Sequence, residues 1–163
     1  MDYSNVKMEI INGRENEREI VTNGILLDDE HTCFYGFRSV FEIVWSILND
    51  SIIYNVTLND EQIGIIMVSN YKENETELEI GACFKNEYRN KGIGTYLLKL
   101  VLDDCFLNGA TKVHALVRND NLSSNRLCNK LSFIKYEDDA EDFIYNNKKV
   151  KQTHYVYTNN SRN

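Results

Sequence analysis

Arg89-Asn90-Lys91-Gly92-Ile93-Gly94 sets two cations and two glycines within a short stretch, and that mixture suits the binding of a phosphate. The apolar run ahead of it ends at Phe84 and a helical pattern begins near Gly92. The unsatisfied N–H groups of a helix start and the positive end of its dipole therefore meet at this turn. Gly92 and Gly94 lack the Cβ atoms that would hold a pyrophosphate off the backbone, and Arg89 and Lys91 add side-chain charge. The spacing excludes two common phosphate loops. A P-loop needs four residues between its glycines and then Lys-Ser/Thr, and a dinucleotide fingerprint needs a third glycine where this chain has Thr95-Tyr96-Leu97. Just upstream, strand alternation places Glu77, Glu79, Gly81 and Cys83 on one face and Leu78, Ile80, Ala82 and Phe84 on the other. Two carboxylates thus share a side on which a proton could be taken.

The elements that must position these groups follow from periodicity. Val6 to Ile11 reads as a first strand ending at the turn signal Asn12-Gly13. Helical spacing follows over Asn16 to Leu26 and again over Val40 to Leu48, where Phe41, Val44, Trp45 and Leu48 recur on one face. Ser51 to Thr57 and Ile63 to Ser69 form an expected antiparallel hairpin joined by Asn59-Asp60-Glu61. Tyr71 to Glu75 is a polar turn and Glu77 to Phe84 a further strand. A helix from about Gly92 to Leu107, with Gly109 as its cap, leads to the β-branched strand Lys112 to Arg118, the spacing of a parallel crossover. A short helix runs from about Leu122 to Leu131. Two closing strands are expected, Phe133 to Tyr136 continuing toward Ile144-Tyr145, and Val150 to Thr158, flanking an Asn146-Asn147 turn. The tail from Asn159 is polar and expected to fray.

At 163 residues the chain is one domain's worth, spanning residues 1–163, with enough length for a real core. Hydrophobic residues make up 42% and charged residues 26%, the values of an ordinary globular protein. No run approaches a membrane span and Met1-Asp2-Tyr3-Ser4 lacks a basic leader, so a cytoplasmic location is expected, without a membrane partner. The net charge of -7 argues against nucleic acid and suits a cationic acceptor or plain solubility. Cys33, Cys83, Cys105 and Cys128 form no Cys-x-x-Cys pair and read as reduced core thiols, with no metal site expected. His31 and His114 have no partner at motif spacing and read as structural.

Arg89 to Gly94 resembles the Arg/Gln-x-x-Gly-x-Gly/Ala pyrophosphate loop of the GNAT superfamily of N-acetyltransferases. A second segment, Asn121-Leu122-Ser123-Ser124 through Leu127-Cys128-Asn129-Lys130-Leu131-Ser132-Phe133, resembles the Asn-x-x-Ser...Leu-x-x-Lys-Leu-Gly-Phe pattern of one GNAT branch. That branch holds the ribosomal-protein N-terminal and the spermidine acetyltransferases. The resemblance runs from about Gly64 to Tyr157. It implies an α/β (α+β layered) fold: a mixed, mostly antiparallel central sheet with a parallel, splayed central strand pair, flanked by helices. The implied activity is acetyl transfer from acetyl-CoA to a primary amine (a polyamine, another small amine or a peptide N-terminus) by direct attack in a ternary complex. A homodimer is allowed for. The rival reading is a non-catalytic acyl-CoA-binding regulatory module.

The resemblance also implies roles. The pyrophosphate would lie on Arg89, Asn90, Lys91, Gly92, Ile93, Gly94 and Thr95. The pantetheine arm would bond the backbone around Cys83 and Phe84 and meet Asn121, which is equally a helix N-cap. An alkyl amine is neutral in only about one molecule in 10³ at pH 7, so a base is useful. Glu79 matches the place where many relatives carry an acid, with Glu77 in reserve, although a paired strand carboxylate is the plain alternative. Relatives often place a tyrosine acid where this chain has Cys128. That leaves Ser124, then Tyr136, to protonate the leaving thiolate, while Ser124 reads equally as a helix residue bonded to its own backbone. A covalent route through Cys83 or Cys128 is not expected. The acidic segments Asp28-Asp29-Glu30 and Glu137 to Asp142 are expected to border the acceptor cleft or to be solvated loops.

Overall fold

The computed structural model describes residues 3–11, 17–26, 44, 49, 51–72, 74–136, 143–145 and 148–158. In chain order these carry β1 (Val6–Ile11), α1 (Glu17–Leu26), β2 (Ser51–Leu58), β3 (Glu61–Tyr71) and β4 (Asn74–Phe84). A 3₁₀ turn (Asn86–Tyr88), α2 (Ile93–Leu107), β5 (Lys112–Arg118) and α3 (Leu122–Lys130) follow. The chain closes with β6 (Ile134–Tyr136), β7 (Phe143–Tyr145), β8 (Lys148–Val150) and β9 (Gln152–Thr158). Seven strands hydrogen-bond in the order β1-β2-β3-β4-β5-β9-β6. β1/β2, β2/β3, β5/β9 and β6/β9 are antiparallel, whereas β4/β5 is parallel over Glu77↔Lys112, Leu78↔Val113 and Glu79↔His114. The mixed, mostly antiparallel sheet with one parallel pair is the fold class expected from the sequence.

Three boundaries differ from expectation. The polar stretch Tyr71 to Glu75 is mostly strand, because β3 runs to Tyr71 and β4 begins at Asn74. A ladder is made by backbone groups and needs no apolar side chain to continue. The closing strands also separate: β6 joins the main sheet, while β7 pairs with β8 in a two-stranded sheet of its own. The last strand is interrupted at Lys151, so that Val150 belongs to β8 and not to β9. The helix expected over Val40 to Leu48 lies outside the described residues apart from Val44, which is helical. Asp28 to Glu30, His31, Cys33 and Glu137 to Asp142 also lie outside them.

The chain divides into two compact units. The first comprises Met1–Ser69 and Gly81–Gly94. Its β2–β3 turn holds Asn59 at φ 51° and Asp60 at φ 64°, the left-handed pair of a tight hairpin turn that Asn and Asp tolerate. Ile63 through Val68 are buried on both faces of β3, apart from side-chain-free Gly64. Ile11, Val21, Ile53, Ile65, Met67 and Cys83 form one core cluster with Val44. α1 lies on β3 through Gly24, where a Cβ would stand 2.4 Å from Ile65 Cγ2.

The second unit comprises Asn70–Ile80 and Thr95–Asn163. Period-two alternation across β5 and β9 gives it two different faces. On one, Val113, Ala115 and Val117 are buried beside Tyr155 and Tyr157. The rings of Phe106 from α2 and Phe133 pack on Tyr157 at 5.8 and 5.2 Å. The other face carries Lys112, His114, Leu116, His154, Val156 and Thr158 in register. α3 is fastened by Asn125: its Nδ2 donates to the Arg118 and Asn121 carbonyls at 2.8 Å each, and its Oδ1 accepts the Tyr155 hydroxyl at 2.8 Å. The helix ends with Ser132 at φ 64°. Ser132 N–H donates to Asn129 O and Phe133 N–H to Cys128 O, a Schellman closure of the kind that favours glycine at this position.

Candidate active site

In the first unit the phosphate-type turn grows from the end of β4. Gly64 lets the β3 backbone run close to that end, since a Cβ there would stand 2.4 Å from the Phe84 ring and 2.6 Å from the Cys83 carbonyl. Lys85 N–H donates to Ile63 O at 2.9 Å, and the 3₁₀ turn then carries the chain to Arg89. Arg89 does not simply project a cation toward a ligand: its Nε donates to the Phe84 carbonyl at 2.7 Å and braces the turn against the strand end. Asn90 at φ 59° and Gly92 at φ 86° are the left-handed residues, and Ile93 opens α2. Gly92 therefore needs glycine for its backbone, whereas Gly94 is the second residue of the helix. Tyr3 completes the turn, its hydroxyl donating to Lys91 O at 3.2 Å. The first-turn N–H groups of α2 lack intrahelical acceptors, so an anion here meets aligned donors.

The second unit gathers a different set of groups on its sheet face. Glu77 Oε1 accepts from Lys112 Nζ at 2.9 Å, and Glu77 Oε2 lies 2.9 Å from His114 Nε2. His114 Nδ1 lies 2.8 Å from His154 Nε2. Both imidazoles are 4% exposed. The Tyr71 ring stacks on His114 at 3.8 Å, and the Tyr136 ring meets His154 edge-on at 5.3 Å. Lys112, with His114 behind it, holds the Glu77 carboxyl below the ordinary carboxylate range in spite of its partial burial. Burial lowers the His114 imidazole against the pull of Glu77. With Glu77 ionised and His114 neutral, His114 Nε2 carries the hydrogen donated to Glu77. Its Nδ1 must then accept from His154 Nε2–H. Glu79, next on the same face and in register with His114, has its carboxyl raised by desolvation.

Tyr71, Glu77, Lys112, His114, Tyr136 and His154 line a cavity of about 390 Å³ whose other walls include Ile134 and Val156, and Glu79 is not among its lining. Tyr136, half exposed, is part of it, and Ser124 and Asn121 are not among its lining. Asn121 is the N-cap of α3, its Oδ1 accepting from the Ser124 backbone N–H at 3.1 Å. The Cys128 thiol is buried and pushed up to about 12 by desolvation.

The model of the acetyltransferase (GNAT) domain family matches residues 20–134. The chain belongs to that family. No curated protein matches the sequence. Among solved structures, this GNAT acetyltransferase resembles the ribosomal-protein-S5-alanine acetyltransferase of Vibrio fischeri, at TM-score 0.74 and 17% identity over 98% of this chain and 96% of that one. It resembles the Salmonella typhimurium protein yncA, described with its cofactor acetyl-CoA, at TM-score 0.74 and 12% identity over 95% and 94%. A chimera of the Vibrio cholerae spermidine N-acetyltransferase matches at TM-score 0.74 and 14% identity over 95% and 96%. No described helix of the acetyltransferase is long and apolar enough to cross a membrane.

The expected residues fall in two groups. Cys83, Phe84 and Arg89 to Gly94 belong to the first unit, and Glu79, Thr95, Asn121, Ser124 and Tyr136 to the second. Within the second, Glu79 and Tyr136 share a sheet face. His114, read from sequence as lacking a partner at motif spacing, has partners on both ring nitrogens. His154 was missed altogether. The only trace of it in sequence is the alternation of His154 and Val156 with Tyr155 and Tyr157; the pairing with His114 needs the β5/β9 register.

Proposed function

We propose that this acetyltransferase takes acetyl-CoA as co-substrate and acetylates a primary amine by direct attack. The observation that carries the reading is the turn itself. Asn90 and Gly92 turn the backbone left-handed directly ahead of α2, in a chain whose family transfers acetyl groups. Arg89, Asn90, Lys91, Gly92, Ile93, Gly94 and Thr95 would hold the pyrophosphate, and Cys83, Phe84 and Asn121 the pantetheine arm. When bound, acetyl-CoA supplies the thioester. The amine arrives as an ammonium and sheds two protons in all, one to a base before its nitrogen forms the C–N bond and one to the thiol released as the C–S bond breaks. Glu79 is the proposed base, a desolvated carboxylate able to exchange a proton nearer neutrality than an exposed one. Of the two expected acids Tyr136 is preferred in this reading, because it lines the cavity on the sheet face that Glu79 shares and Ser124 is not among that lining. A thiol held at about 12 makes Cys128 a poor nucleophile and favours direct attack over an acyl-enzyme.

The test is calorimetric titration of acetyl-CoA into wild type and Gly94→Val, with thiol release measured on an amine panel. Tight binding in wild type, its loss in a folded Gly94→Val and thiol release with an amine are expected. Binding without thiol release on any amine would turn the reading toward the regulatory module. Asn121→Ser separates the two roles of that residue, since serine keeps the helix cap and removes the amide.

A further inference from the structure

The second unit's cavity carries charges of a definite kind. Lys72 and Lys112 are its cations and Glu77 its carboxylate. Both oxygens of that carboxylate are already engaged, one by Lys112 and one by His114. The imidazole pair is ordered toward Glu77, His154 donating to His114 and His114 to Glu77 in the arrangement derived above. A polycation entering here would meet two ammonium groups and no unengaged carboxylate oxygen among the described lining, at a cost in repulsion and desolvation. An anionic group would meet the Lys72 ammonium, which stands 5.3 Å from the Tyr71 ring centre at the cavity wall. The remaining surface is aromatic and aliphatic: Tyr71, Tyr136, Ile134 and Val156. Pockets of this size and lining hold small molecules with a flat or branched apolar body.

We propose that this cavity is the acceptor site and that the acceptor is an α-amino acid with an aromatic or branched apolar side chain. The side chain lies between Tyr71 and Tyr136, the carboxylate faces Lys72, and the α-amine is directed along β4 toward Glu79, the next carboxylate on the same face. Glu77, His114 and His154 are positioning residues: they lock Lys112 and the Tyr71 ring in place and leave the wall with an excess of positive charge. This rests on the acetyl-transfer reading for its chemistry, but not for its binding step.

The experiment measures binding of L-phenylalanine, phenethylamine and spermidine by saturation-transfer NMR and calorimetry, and thiol release with the same three amines. Wild type is compared with Lys72→Glu and Tyr136→Ala, both at exposed positions, with folding of each variant checked by circular dichroism. Phenylalanine is expected to bind at least tenfold more tightly than phenethylamine, which lacks the carboxylate. Lys72→Glu should erase that preference without weakening phenethylamine, and Tyr136→Ala should weaken both. Spermidine binding more tightly than phenylalanine, or phenylalanine binding indifferent to both substitutions, overturns the proposal. Spermidine acetylation with no phenylalanine binding would overturn the cavity assignment and leave acetyl transfer standing. Selective phenylalanine binding without thiol release would uphold the cavity and remove the catalytic reading.

Discussion

Glu79 and Glu77 are two residues apart on one strand face, yet their surroundings drive them in opposite directions. Glu79 is desolvated without a compensating cation and its carboxyl is raised, whereas Lys112 and His114 hold Glu77 down. Such a divided pair is how one site keeps a proton acceptor beside a fixed charge. Glu79→Gln is expected to lower kcat more at pH 7 than at pH 9, where more of the amine is already neutral; equal losses in the two pH–rate profiles would make Glu79 structural. The Glu77–His114 pair also sets a stability profile. Burial depresses the folded His114 value, so below about 6.5, its ordinary value, the unfolded chain takes up the proton first and stability falls with pH. Glu77 is likewise depressed: its contribution is complete above about 4.5 and is lost as pH falls through its lower folded value. Urea midpoints measured from pH 8 to pH 3 should therefore decline in two stages, and His114→Asn should shrink the first. The groups facing His114 are Glu77, Lys112, Lys72, Tyr71, His154 and, by register, Glu79. A midpoint constant from pH 7 to pH 5 would contradict this account.

At the scale of elements, turns and caps decide where strands and helices stop. α3 begins at an Asn121 cap and ends in a Schellman closure that places Ser132 at φ 64°. A side chain in that conformation costs about 1 kcal/mol relative to glycine. Ser132→Gly should accordingly raise unfolding stability by up to about 1 kcal/mol in urea melts, with the extra flexibility of unfolded glycine eroding part of the gain. A destabilised variant would mean that the serine side chain makes a compensating contact. The short helix with its capping Asn was legible because Asn-x-x-Ser is a local signal. The strained Ser132 was legible as a departure from the glycine pattern. The lengths of β3 and β4 were not, because Tyr71, Asn74 and Glu75 read as turn residues. Their strand conformation comes from a hairpin ladder that local propensity does not register.

At the scale of the whole molecule, binding energy from the β4–α2 turn should appear as added stability. Acetyl-CoA at a hundred times its dissociation constant is expected to add about 2.7 kcal/mol to folding, visible as a raised Tm. Lys91 is exposed on that turn, so Lys91→Glu should leave the ligand-free Tm near wild type and cut the ligand-induced shift. An undiminished shift would place the phosphates elsewhere. The sequence by itself determined the turn, the order of most elements, the parallel crossover and the family, because each is written in neighbouring residues: glycine spacing, cap residues and apolar periods of 2 and 3.6. It also marked Glu77 and Glu79 as sharing a face. Only the tertiary structure decided that Arg89 braces the Phe84 carbonyl, that Tyr3 closes over Lys91, and that His114 and His154 form a chain ending on Glu77. Those partners lie 5, 88, 40 and 37 residues apart. Pairing at such separations is set by strand register and by the burial that tertiary packing imposes, and neither has a local signature.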